Sequence, residues 1–332
     1  MSFLLTRIGV LLGIVSFLAG CAHNPVTGGT DFVMMSENQE LATGRAADVQ
    51  VRKQYRIYTN ETLQSYVNRV GQKLAAKSHR PNLSYHFTVL DSTEINAFAL
   101  PGGYIYITRG ILAYLNSEAE LAAVLGHEIG HVTARHGVRQ QSAAQAANIG
   151  MTIASVFVPQ IRNQNARNLG SVLNGALLSG YGREHELQAD ALGAGYLAAT
   201  GYDPQAIIQI IGVLKNQETY DAVLAKKEGR EPRHYHGVFA SHPDNDTRLK
   251  QAVNVADQQT VVQPFLGHDE FLRALEGLTF NEPSEQGVLR NNTFYQADMN
   301  IAVQFPPAWQ VHNLANALFA VSDAADTKIN FK

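Results

Sequence analysis

One cysteine, Cys21, is all the sulfur available for cross-linking in 332 residues, so no internal disulfide holds this fold. Charge is sparse too. Asp, Glu, Lys and Arg make up 17% of the chain and the formal net charge is −3, which provides no basic field for nucleic acid. Beyond residue 20 there is no apolar run of about 18 residues, so no transmembrane helix is expected there. No internal repeat of about 34 residues is visible towards the C-terminus. What remains is a chain long enough to bury one large core or two modest ones.

The first twenty residues are an exception to the balanced composition. Arg7 precedes an apolar run from Ile8 to Leu18, too short for a confident span and suited to a signal-peptide core. The run ends Leu18-Ala19-Gly20-Cys21, which resembles a bacterial lipobox and makes Cys21 the lipidated first residue of the processed chain. An ordinary signal peptide or a single-span anchor is the plainer alternative. By the same resemblance, Ala22 next to the cysteine implies sorting to the outer membrane. Residues 21–35 then form a tether containing Pro25, Gly28 and Gly29.

A Ser117/Glu120 capping-box pattern opens a helix that has room to continue to about Gln141, since that stretch carries no proline. Within it stands His127-Glu128-Ile129-Gly130-His131. Residues four apart lie one turn apart on one face, so both imidazoles can address a single metal ion, with Glu128 beside them as a general base. A metal centre also needs a third protein ligand and an open position. Glu186 is the downstream candidate, four residues before Asp190 on a helix predicted from Gly182 to Thr200, while Glu184 and His185 compete for the same role. One carboxylate of such a pair can bind metal while the other accepts the second N–H of a ligating histidine.

Helices are also predicted over 36–54, 60–79 and 204–226, and strands over Phe87–Leu90, Ile95–Leu100 and Tyr104–Thr108, with Pro101-Gly102-Gly103 as a turn. Asn96, Ala97, Phe98 and Ala99 are read as an exposed edge to which an extended substrate adds as another strand; plain core sheet is the alternative. Residues 142–180 hold only Arg162 and Arg167 as charges and are expected to form a helical hairpin, either a lid over the site or ordinary packing.

Together, Asn96 to Gly103, Ile107-Thr108-Arg109-Gly110 and the H-E-x-x-H segment resemble the zinc metallopeptidase family of the heat-shock protease HtpX and the CAAX prenyl protease. Lacking membrane-spanning helices, the chain is similar to the periplasmic lipoprotein branch that contains BepA and LoiP. The resemblance runs from about Asn24 to Asp257. It implies Glu186 as the third zinc ligand and Asp190 as the support of His127. It also covers Ser241-His242-Pro243 with Arg248 following. His242 is expected at the metal, either donating to the developing oxyanion or, by preference, capping the open position at rest; a solvated loop histidine is the alternative. A second metal site from His234, His236 and His242 is weighed against loop histidines in water.

The sequence therefore predicts an α+β protein. A signal (1–20) and tether (21–35) precede a mainly helical zincin-type peptidase domain (36–260) whose small sheet bears an exposed edge. A small C-terminal α+β domain (261–332) follows, its last residues mid-strand, so the natural C-terminus is expected beyond Lys332. The expected activity is a gluzincin-type endopeptidase with one Zn2+ per chain, held to the outer membrane from the periplasmic side. Its expected partners are unfolded or misassembled envelope proteins. A non-catalytic zinc-containing chaperone and a zinc-storage lipoprotein are the rivals.

Overall fold

A computed structural model describes residues 21–157, 182–228, 245–280, 287–290, 292–314, 317–322 and 327–331. The signal segment, residues 158–180 of the predicted hairpin, and His234, His236 and His242 lie outside the described residues. No described helix is long and apolar enough to cross a membrane.

The stretch read as a tether has a structure of its own. Strand β1 (Cys21–His23) pairs antiparallel with β2 (Thr30–Phe32). The turn between them is built by Asn24, whose Oδ1 accepts from the N–H groups of Val26 and Thr27. Helix α1 (Glu37–Gln54) starts at Ser36 with both arms of a capping box to Gln39. Helix α2 (Glu61–Ala75) turns Leu63, Val67, Val70 and Leu74 into the core, all fully buried.

A three-stranded sheet follows, in the order β3 (His86–Leu90), β5 (Tyr104–Thr108), β4 (Ala97–Leu100). β3 runs parallel to β5 and β4 antiparallel to it, with Ala97 opposite Ile107. The link from β4 to β5 holds Gly102 and Gly103 at φ 78° and 91°, a region glycine enters without steric cost. β4 starts two residues later than predicted. At Asn96 the chain bonds to Thr108 instead: its N–H donates to the Thr108 hydroxyl at 3.2 Å and its C=O accepts from the Thr108 N–H at 3.0 Å.

After the single turn α3 (Arg109–Leu112) comes α4 (Glu118–Thr133), the helix of the H-E-x-x-H pattern, in which every residue is buried. Its N-terminal N–H groups are satisfied from two directions. Ser117 Oγ accepts from Glu120 N–H at 3.1 Å, while the Glu120 carboxylate reaches the N–H of Asn116 at 2.8 Å, one residue before the position a capping box uses. The carbonyls of Gly267 and Leu266 accept from the N–H groups of Glu118 and Ala119. Residues 265–280, predicted within the C-terminal domain, thus dock on the peptidase core, with Phe271 fully buried and the Thr279 carbonyl accepting from Arg109 at 2.8 Å.

The room for the helix to continue is not used, and α4 ends at Thr133. Arg135 takes φ 55°, held by Glu40 at 2.9 Å and by the Met35 carbonyl, and α5 (His136–Phe157) sets off in a new direction. Helices α6 (Arg183–Ala199), α7 (Ala206–Glu228) and α8 (Asn245–Asp257) complete the peptidase core. Helix α9 (His268–Ala274) is the element that docks below α4. Beyond it stand two three-stranded antiparallel sheets, β6 (Val288–Arg290), β7 (Thr293–Gln296) and β8 (Ile301–Gln304), then β9 (Gln310–Leu314), β10 (Ala317–Val321) and β11 (Lys328–Phe331). They share a small core of Phe294, Phe305, Leu318 and Ala320. The fold is α+β, mainly helical in its peptidase part, as predicted.

Helices α4 and α6 cross at glycines. A Cβ at Gly193 would stand 3.1 Å from the His127 nitrogen, and one at Gly130 would stand 3.0 Å from the Ala189 carbonyl. Gly193→Val should therefore separate the helices at an overpacking cost of about 1–3 kcal/mol. Urea denaturation of the metal-free protein reads that loss; an unchanged midpoint would contradict the tight crossing.

Candidate metal centre and active site

His127 and His131 project from one face of α4, and their Nε2 atoms approach to 3.0 Å. From α6, Glu186 places one oxygen 3.5 Å from each of these nitrogens. All three side chains are buried, with Glu186 fully so. Among the described residues this is the group of donors that converges on one point. The competing ligands are sorted by the helix turn. Glu184 faces solvent, and the His185 ring stacks on His136 at 4.2 Å between centroids.

The donor set fits a zinc ion. Tetrahedral zinc with bonds of about 2.0–2.1 Å separates its ligand atoms by about 3.3 Å, close to the separations here. The Nδ1 atoms of both histidines are engaged elsewhere, which leaves the two Nε2 atoms and the Glu186 carboxylate facing one another at the centre.

Each histidine is held from behind. His127 Nδ1 lies 2.8 Å from Asp190 Oδ1, and an ionised carboxylate only accepts, so the proton sits on Nδ1 and Nε2 keeps its lone pair for the centre. Asp190 is in turn gripped by Arg248 of α8, whose Nε and Nη2 donate to its two oxygens at 2.8 Å each. Arg248 Nη1 also stands 3.5 Å from Glu186. Burial raises the Asp190 pKa, but the Arg248 charge and hydrogen bonds outweigh it and hold the carboxyl well below the usual range. Burial pulls the His127 pKa down, yet the bond and charge of Asp190, with Glu186, leave it above its ordinary value. Behind His131 stands His136, Nδ1 to Nδ1 at 2.8 Å, with burial and the neighbouring His185 pushing its pKa down to about 3.

Glu128, adjacent to His127 and buried, lines a narrow cleft. Ala97 of the edge strand, His127, Arg248, and Ile207, Ile210, Ile211 and Leu214 of α7 form its other walls, so the cleft is apolar except beside the metal donors. β4 is an edge of the sheet, and Asn96 Oδ1 is buried there with no hydrogen-bond partner among the described residues. The opposite edge is closed: Val89 of β3 exchanges bonds with the Gln64 side chain and accepts from Tyr58 N–H.

The profile of peptidase family M48 matches residues 61–256. The chain belongs to peptidase family M48. It is 30% identical over 230 residues to the beta-barrel assembly-enhancing protease of Yersinia pestis, covering 68% of this chain and 45% of that one. It is 31% identical over 187 residues to the mitochondrial metalloendopeptidase OMA1 of Arabidopsis thaliana, covering 55% and 37%. With the metalloprotease YcaL of Escherichia coli it shares 26% over 188 residues, 55% of this chain and 68% of that protein. The chain spans less than half the length of the assembly-enhancing proteases it matches. The M48 match embraces α4, α6 and α8, which carry the three donors and Arg248.

Sequence reasoning named His127, Glu128, His131, Glu186, Asp190 and Asn96; the structure brings His127, His131 and Glu186 together with Asp190 behind His127, sets Glu128 beside His127 on the cleft, and leaves Asn96 at the start of the edge strand. It passed over His136 and Gln188, and mentioned Arg248 only as following His242. Gln188, between Glu186 and Asp190, and a histidine five positions after the motif were the available signals. His242 lies outside the described residues.

Arg248→Met should leave Asp190 and Glu186 buried without their guanidinium. Removing one partner of a buried ion pair costs about 3–5 kcal/mol. A urea midpoint equal to the parent's would show that the pair carries no such weight.

Proposed function

We propose that this chain is a zinc-dependent endopeptidase of the bacterial envelope, acting on extended, unfolded or misassembled polypeptides. The observation that carries the reading is the convergence of His127, His131 and Glu186 on one point with Glu128 in the adjoining cleft. Bound there, zinc supplies Lewis-acid polarisation of the scissile carbonyl and an acidified water. Glu128 receives the proton of the attacking water and passes it to the leaving amine nitrogen, for which it needs reach rather than a metal bond. Asp190, kept ionised by Arg248, holds His127 in the tautomer that presents Nε2.

The substrate enters as an added strand. β4 offers an edge beside α4, and Asn96 Oδ1 is an acceptor to which a substrate N–H can donate. An apolar substrate side chain then packs against the apolar cleft walled by α7. Only unfolded backbone can pair in this way, which fits quality control of envelope proteins. The names of the assembly-enhancing relatives support a place in outer-membrane protein assembly. A lipid on Cys21 would hold the enzyme at the outer membrane from the periplasm.

Two variants test these statements. Glu128→Gln should retain zinc, measured by metal analysis of the purified protein, and lose casein cleavage by about 100-fold or more, since it removes the proton acceptor alone. Cleavage at the parent's rate would rule out the assigned base. Cys21→Ser should appear in the soluble fraction after cell lysis; retention on salt-washed membranes would end the lipid-tether reading.

A further inference from the structure

The mechanism above leaves one fully buried histidine unused. His136 contributes no atom to the donor cluster. Its Nδ1 lies 2.8 Å from His131 Nδ1, its Nε2 lies 2.9 Å from Gln188 Oε1, and its ring stacks on His185. Both ring nitrogens are therefore engaged, one by a zinc-binding histidine and one by a residue of the helix that carries Glu186.

Counting protons gives this chain of contacts a direction. A metal takes the lone pair of His131 Nε2, which leaves the proton of the neutral ring on Nδ1. That N–H faces His136 Nδ1, which must accept. The proton of His136 is then on Nε2, and it donates to Gln188 Oε1. Turning the Gln188 amide over reverses every step: its NH2 donates to His136 Nε2, His136 Nδ1–H donates to His131, and the His131 proton moves to Nε2. In that direction His131 is lost as a ligand.

The backbone shows an independent investment in the same contact. In an unbroken helix, positions 131 and 136 lie about 140° apart around the axis, and their rings cannot meet. They meet here because Arg135 adopts φ 55°, a conformation that side chains other than glycine rarely take. Glu40, from α1, holds Arg135 there at 2.9 Å. Charge also favours a neutral support at this position. The buried centre already sets the carboxylates of Glu128, Glu186 and Asp190 against the guanidinium of Arg248.

We propose that His136, oriented by Gln188, is a positioning residue that keeps His131 in its Nδ1–H tautomer and fixes its ring towards the metal. It does for His131, with a neutral acceptor, what Asp190 does for His127.

The test uses the full chain and reads zinc affinity by chelator competition, together with the visible spectrum of the cobalt-substituted protein. The proposal rests on the metal reading, so the parent is measured first; a parent that holds no zinc overturns that reading and this one with it. His136→Leu should weaken zinc binding about 10- to 100-fold, the usual effect of losing such a support. His136→Asn places Oδ1 where Nδ1 stood, so it should recover most of the affinity and the parent's cobalt spectrum. Parent-like affinity in His136→Leu overturns the positioning role alone. An Asn variant no better than Leu overturns it too, since space-filling would then explain the loss. Should His136→Leu not fold, Gln188→Leu decides at a partly exposed site: weaker zinc binding supports the relay, and unchanged affinity overturns it.

Discussion

Glu186 can reach both imidazoles only because α4 and α6 touch backbone to backbone, and the rest of the architecture answers to that approach. Gly126, Gly130 and Gly193, with Ala189, line the crossing, leaving no Cβ in the way at the three glycines. Such a contact buries α4 on this side, while α2, the sheet and α9 bury it on the others. A helix buried all round, yet carrying several polar side chains, must find partners for them. Glu118 accepts from Tyr66 at 2.7 Å and Tyr202 at 2.6 Å, and Glu120 accepts from Asn116. Thr133 shares a hydrogen bond with Tyr196, which also meets His79. His127 has Asp190 and His131 has His136. Structural support and metal support are thus one network, which is why a helix this polar tolerates the middle of a core.

Arg248 is the electrostatic counterpart of that crossing. Burial opposes its own charge, but Asp190, Glu186 and Glu128 more than offset the penalty and keep it protonated. Its charge offsets those of the Asp190 and Glu186 carboxylates within the buried centre. The sign for Asp190 follows from its depressed pKa: its ion pair contributes fully above the ordinary carboxylate range, and the contribution fades as pH falls towards the lowered value. Near neutrality the clamp on His127 is therefore complete.

What could be read from the sequence was what the 3.6-residue period dictates. Two histidines four apart, and two carboxylates four apart, share a face in any helix, so both pairs were visible without coordinates, but the family resemblance, not the spacing, chose Glu186 over Glu184 and His185 and gave Asp190 its role. The features that escaped depend on partners remote in sequence. Nothing local announces that Arg135 leaves the helical region, because the reason is Glu40, 95 residues earlier. The Glu120 side chain overshoots its expected capping position by one residue for want of any local signal. The start of the C-terminal unit was placed before residues whose carbonyls cap α4, since a backbone acceptor leaves no trace in composition. The strand at Asn96 was seen, but its shortening by two residues comes from the Thr108 hydroxyl on the neighbouring strand.

The two edges of the small sheet are treated differently, and the difference bears on what can be bound. A bare edge invites any strand, and proteins ordinarily cover or disrupt such edges. β3 follows that rule, with Gln64 imitating a strand partner through its amide and the 56–58 segment bonding alongside. β4 has no strand on its outer side among the described residues, although it lies over α4 and next to the cleft. Leaving this edge open risks unwanted pairing. Under the proposed strand addition, a substrate pairing there would bring its backbone into register with the sheet, its side chains alternating towards the cleft and towards solvent. Recognition would then rest on main-chain hydrogen bonds and one apolar pocket, a combination that selects for an extended, accessible chain rather than for a particular sequence; a well-folded protein, whose strands are already paired, would offer it nothing.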